Sequence, residues 1–209
     1  MADHLQARCV LASATEDAPR TCGDPTKVRL TEAAPAGAIA LRLDAGDAGA
    51  VQRAREALGV DLPLMPNTWK AHGDIAVLWQ AYDEWLVLTS DGQQGVVAVR
   101  LAQALAGRHS AVTDVSDLRA AIDVSGPLSR DLLRKGCAVD LHARSFKTGN
   151  LALTALARVR VVLWQTSEVP AYQLLVERSY AHYLWDWLVD AAVEFDGPTI
   201  RQAALPRRR

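Results

Sequence analysis

The stretch Val77-Leu78-Trp79-Gln80 returns letter for letter as Val162-Leu163-Trp164-Gln165. Four letters alone would constrain little, but the same order of elements surrounds both. Ile39–Leu43 alternates apolar and polar residues as a half-buried strand does. A turn over Asp44–Gly49 leads to a helix at Ala50–Leu58, with Val51, Ala54 and Leu58 on one face and Gly59 as its C-cap. A proline-containing loop follows. Strands Ile75–Gln80 and Glu84–Thr89 then flank the turn Ala81-Tyr82-Asp83. A helix over Val96–Leu105 and a closing strand over Ala111–Val115 complete the unit. The pattern restarts with a strand at Arg119–Val124 and a helix opened by Gly126-Pro127, since proline is tolerated at a helix start. Leu128, Leu132 and Leu133 face its core and Gly136 ends it. A long loop through Cys137 follows, then strands Leu151–Ala157, Val159–Gln165 and Tyr172–Glu177, and a last helix over about 179–195. A shared order on both sides of a repeated motif points to duplication. The expected fold is α+β: two β-α-β-β-α units, about 39–116 and 117–197, with helices packed on antiparallel or mixed sheets. Trp79 and Trp164 are then expected at related positions.

Outside the duplicated region the chain is expected to be irregular. Residues 1–38 are rich in Ala, Thr and Pro and read as an arm in which only Lys27–Leu30 hints at extended structure. Residues 198–209 form a tail ending in the basic run Leu205-Pro206-Arg207-Arg208-Arg209. Half of the 209 residues are hydrophobic, enough for a sizeable core, and the formal net charge is −1. That balance argues against a nucleic-acid binder, which needs a strongly basic face. Three cysteines without a CxxC pair argue against a secreted disulfide framework. Asp3 and His4 stand where a signal peptide would begin its basic and apolar regions, and no apolar run approaches membrane-spanning length. The expectation is a cytoplasmic protein with no membrane partner.

No motif in the chain promises chemistry. Cys137 and His142 lack the further ligands a zinc site needs. The glycine pairs Gly46/Gly49 and Gly92/Gly95 form neither a dinucleotide fingerprint nor a phosphate loop. Cys137 follows the negative end of a helix, which disfavours a thiolate. Asp83 and Glu84 fall in a hairpin turn, where such residues are ordinary. The expectation is therefore no catalytic, cofactor-binding or metal-binding residue on this chain.

The last helix is more informative. Arg178, His182, Asp186, Asp190 and Glu194 make one polar ridge, and nearly everything else is apolar. A surface helix of a monomer needs an apolar arc of somewhat more than about 100°. Trp185 and Trp187 lie about 200° apart on a helix. One side is expected to cover the home sheet and the other to dock a partner chain, with Tyr180, Tyr183, Trp185, Trp187 and Val189 as the candidate interface, since aromatic residues are favoured anchors there.

Three stretches carry a family resemblance: the run Lys135-Gly136-Cys137-Ala138-Val139-Asp140-Leu141-His142 with Phe146 and Gly149, the helix stretch from Glu177 to Ala192, and Leu62–Trp69 with the strand from Asp83 to Leu88. Over roughly 40–195 the chain resembles the gamma subunit of heterotetrameric sarcosine oxidase. Ala143 stands where that pattern has proline, a local loop difference. The resemblance implies a fold like the N-terminal folate-binding domain of aminomethyltransferase. It implies a complex that oxidatively demethylates sarcosine to glycine, yielding formaldehyde or methylenetetrahydrofolate, and hydrogen peroxide. It also implies alpha, beta and delta subunits as partners, which carry FAD, FMN, NAD and zinc, and a non-catalytic role for the gamma chain. Two alternatives stay open at this stage. One is the equivalent subunit of a sister complex such as N-methylglutamate dehydrogenase; the other is a stand-alone folate-binding protein, which Lys135-Gly136-Cys137 partly matches.

Overall fold

The computed structural model describes residues 10–11, 21–33 and 36–196. The remaining parts of the expected arm and tail lie outside them. The described chain divides into two compact units, the first formed by Ala36–Leu118 with Gly149–Leu153 and the second by the other described residues.

The N-terminal segment opens with β1 (Thr21–Asp24) and β2 (Val28–Glu32). The first unit then runs β3 (Gly37–Leu43), α1 (Ala48–Leu58), β4 (Trp69–His72), β5 (Ile75–Ala81), β6 (Glu84–Thr89), α2 (Gln94–Ala104) and β7 (Ser110–Asp114). Its five strands form one antiparallel sheet in the order β4-β5-β6-β3-β7. Both helices lie on one face, over Ile39, Leu41, Leu43, Val77, Trp85 and Val87. Ala50, Ala54, Ala57 and Leu58 supply the contact from α1, and Val97 and Leu101 from α2. The Asp47 carboxylate caps α1 by accepting from Ala50 N–H at 3.0 Å, and Arg108 braces it at 2.9 Å. Gly59 ends the helix in the left-handed conformation, where glycine carries no Cβ penalty.

The second unit continues with β8 (Arg119–Ser125), α3 (Ser129–Arg134), the end of β9 (Leu151–Leu156, whose first three residues group with the first unit), β10 (Val159–Ser167), β11 (Ala171–Glu177) and α4 (Ala181–Asp196). Its sheet order is β1-β2-β8-β11-β10-β9. Residues 21–32, expected to be irregular, thus form a hairpin that extends this sheet. The reason is alternation: Val28 and Leu30 bury fully between exposed Arg29 and half-buried Thr31. β2 occupies beside β8 the place that β7 holds beside β3. One copy therefore receives its last strand from after its second helix and the other from before the whole repeat. Helices α3 and α4 cover the face bearing Leu30, Val124 and Tyr172, where the Arg130 Nε donates to the Tyr172 hydroxyl.

The strand registers correct one expectation. Trp79 pairs with Trp85, which pairs with Leu41, which pairs with Val112. The matching row of the second sheet is Gln165, Tyr172, Val124 and Leu30. Both sheets break register immediately after this row, between Trp79 and Ala81 and between Gln165 and Ser167. Trp79 therefore corresponds to Gln165 and not to Trp164. The two VLWQ strands are equivalent strands, but the letters are one residue out of step. A one-residue slip exchanges the faces of a sheet. Trp79 accordingly lies on the helix-covered face of its sheet, and Trp164 on the helix-free face of the other.

Candidate partner interface

Helix α4 follows a short 3-10 turn at Arg178–Tyr180. Ala181, Leu184, Trp185, Leu188, Val189 and Ala192 recur at helical spacing and are all buried. They meet α3 and the sheet formed by β1, β2, β8 and β11. The polar ridge of His182, Asp186, Asp190 and Glu194 is exposed.

The expected interface residues separate into two groups. Tyr180 and Tyr183 are 49% and 47% exposed, and Trp187 is half-buried. Trp185 and Val189 are only 1% and 6% exposed, so they are core residues of their own unit and do not present a surface to a partner. The physical reason lies in the N-terminal hairpin. Strands β1 and β2 widen the sheet beneath α4, and the chain itself covers an apolar arc too broad for a narrower sheet. This burial leaves the Trp185 indole N–H without a hydrogen-bond partner among the described residues. The outward stripe is Tyr180, Tyr183 and Trp187, spaced three and four apart on one flank.

That flank is held by the turn after α3. Lys135 donates to the Ala191 carbonyl oxygen, pairs with Glu194 at 2.7 Å and lies 4.5 Å over the Phe195 ring. Trp187 packs on Gly136, where no side chain fits. The Tyr183 hydroxyl donates to the Ala157 carbonyl at 2.8 Å, while Ala157 N–H donates to the Gly136 carbonyl. Ala157 and Arg158 both have positive φ, as the two-residue β9–β10 hairpin turn demands. Tyr183 and Trp187 are therefore braced. Sequence reasoning missed these anchors, although Lys135-Gly136 was visible as a motif.

The loop after Gly136 is structural. Asp140 accepts from the Ser145 hydroxyl at 2.7 Å and from His142 N–H at 3.0 Å, and these bonds hold its carboxyl below the usual range. Phe146 packs against Tyr172 at 6.4 Å. Among the described residues no three His, Cys, Asp or Glu side chains converge as a metal site would require. No described helix is long and apolar enough to cross a membrane.

Comparison with known proteins decides the family. The family described as sarcosine oxidase, gamma subunit, matches residues 42–194. The chain belongs to the sarcosine oxidase gamma subunit family. The sarcosine oxidase subunit gamma of an Arthrobacter species is 36% identical over 174 residues, covering 83% of this chain and 84% of that one. A chain of the heterotetrameric sarcosine oxidase from Corynebacterium sp. U-96, solved with pyrrole 2-carboxylate, superposes with a TM-score of 0.75 at 27% identity, covering 90% of this chain and 91% of that chain. The glycine cleavage system aminomethyltransferase T from Bartonella henselae shares the fold, with a TM-score of 0.59 at 13% identity over 77% of this chain and 45% of that one. The α+β class and the likeness to aminomethyltransferase expected from the sequence hold. The family match covers the outward stripe and runs through α4 as far as Glu194.

Proposed function

We propose that this chain is the non-catalytic gamma subunit of a heterotetrameric sarcosine oxidase. In this role it positions partner subunits and supplies no catalytic residue. The complex demethylates sarcosine oxidatively to glycine, giving formaldehyde, or methylenetetrahydrofolate when folate accepts the carbon, and hydrogen peroxide. The alpha, beta and delta partners hold FAD, FMN, NAD and zinc, and the assembly works in the cytoplasm. The observation that carries this is the near end-to-end correspondence with a chain of a heterotetrameric sarcosine oxidase. The outward stripe of Tyr180, Tyr183 and Trp187 supports a docking role, because aromatic side chains held in one conformation, as Tyr183 and Trp187 are, lose little entropy on association. The relatives' names do not favour a sister amine-oxidising complex or a stand-alone folate-binding protein.

Co-expression with the genes that neighbour its own tests the proposal. The chain should co-purify in equal stoichiometry with three other subunits, and the complex should produce peroxide from sarcosine. A chain that purifies alone from that co-expression, with the others active without it, would sink the assignment.

A further inference from the structure

The helix-free face of the second sheet holds an open groove of about 490 Å³. Pairing across β2, β8 and β11 sets its floor. Thr31 lies opposite Asp123, and Asp123 opposite Gln173; one row along, Arg29 lies opposite Ser125. Directly paired residues share a face, so these five side chains converge on one side of the sheet. The equivalent row of the first sheet is Thr113, Ala40 and Leu86. The carboxyl and carboxamide therefore belong to this copy alone and are not demanded by the fold.

The groups in the groove have unused hydrogen-bonding capacity. Gln173 Nε2 donates to Asp123 Oδ1 at 2.7 Å, and no cation pairs with Asp123 among the described residues. Burial pushes the Asp123 carboxyl above its ordinary range, and the Gln173 bond only partly offsets this. Arg29 lines the same groove and makes no ion pair among the described residues. A lone organic cation would be repelled by Arg29 and a lone anion by Asp123. A neutral molecule would satisfy neither charge. A small molecule bearing both charges satisfies both, through charge-assisted hydrogen bonds.

We propose that this groove binds a small zwitterion of the α-amino-acid class. Its ammonium group donates to Asp123 and to the Gln173 carbonyl oxygen, and its carboxylate accepts from Arg29 with Ser125 and Thr31 alongside. The volume falls within the range usual for small-molecule sites.

Calorimetric titration of glycine into the full-length chain, in the assembly in which it purifies, tests this. Trimethylglycine, which lacks N–H donors, and methylammonium and acetate, which carry one charge each, serve as comparisons. Glycine should show a saturable component that both Asp123→Asn and Arg29→Gln weaken by roughly tenfold or more. The three comparison compounds should show no such component. Asp123→Asn preserves shape and can still pair with Gln173, so thermal stability no lower than the parent's separates lost binding from lost folding. A glycine isotherm that ignores both substitutions overturns the proposal. So does a component weakened by Asp123→Asn but untouched by Arg29→Gln, or one that methylammonium or acetate reproduces.

Discussion

Gly136 lies directly beneath the indole of Trp187: a Cβ at this glycine would stand 2.6 Å from the ring's Cη2 and 2.7 Å from its Cζ2. Those distances are below any real carbon contact, so the ring can stay only while position 136 has no side chain. Gly136→Ala should displace the indole, alter its fluorescence and cost about 1–3 kcal/mol, as overpacking does. Adding Trp187→Ala should recover part of that loss, and a double-mutant cycle by denaturant unfolding measures the coupling. Strict additivity would show that the two residues do not oppose each other.

A core residue of α4 and the surface residue just before it should separate by experiment. Trp185→Ala empties a fully buried site and should cost about 3–5 kcal/mol in unfolding stability. Tyr180→Ala should change stability by no more than about 0.5 kcal/mol, as exposed positions do. It should instead weaken co-purification with the partner subunits, read as the fraction of chain retained on a pull-down through another subunit. Equal stability losses for the two variants would contradict the assignment of Trp185 to the core and Tyr180 to the surface.

The β9–β10 turn carries strain that substitution can relieve. Arg158 has φ of 74° and is exposed, a conformation that costs a non-glycine residue roughly 1–2 kcal/mol. Arg158→Gly removes that cost and loosens the unfolded chain, so a net gain of about 0.5–1 kcal/mol is expected. A lowered melting temperature would mean that the Arg158 side chain makes a contribution larger than the strain.

Two aspartates should respond to pH in opposite senses. Asp140 is held below its ordinary value of 3.8 by Ser145 and His142. Its contribution is present above 3.8 and is lost as pH falls through the lower folded-state value. Asp140→Asn should therefore destabilise at neutral pH and converge with the parent chain in strong acid. Asp123 is raised, chiefly by burial. Stability is fullest below 3.8 and declines as pH rises from there through the folded-state value. Asp123→Asn should match the parent at low pH and equal or exceed it above. Melting temperatures across an acid-to-neutral series check both.

Much of the fold was legible because its signals are local. Alternation marked β3, helical spacing marked α1 and α4, and Gly59 and Gly136 marked helix ends. β4 went unseen: three of its four residues are exposed, and its pairing with β5 is what makes it a strand. The same holds for β1, whose identity depends on β2 and, through it, on β8. The groove at Asp123 carries no motif, since its residues come from strands distant in sequence.

The sequence by itself determined the repeated order of elements, the apolar and polar sides of each, and the family motifs around Lys135-Gly136-Cys137 and the last helix. The tertiary structure decided the facing of the residues those patterns left open. A strand has period two, so its neighbours choose which face is inside, and one residue of register sends Trp79 and Trp164 to opposite sides. Likewise a helix apolar on two sides records only that both must be covered. The hairpin from Thr21 to Glu32, and not another chain, covers the Trp185 side, while Tyr180, Tyr183 and Trp187 remain on the flank that it does not reach.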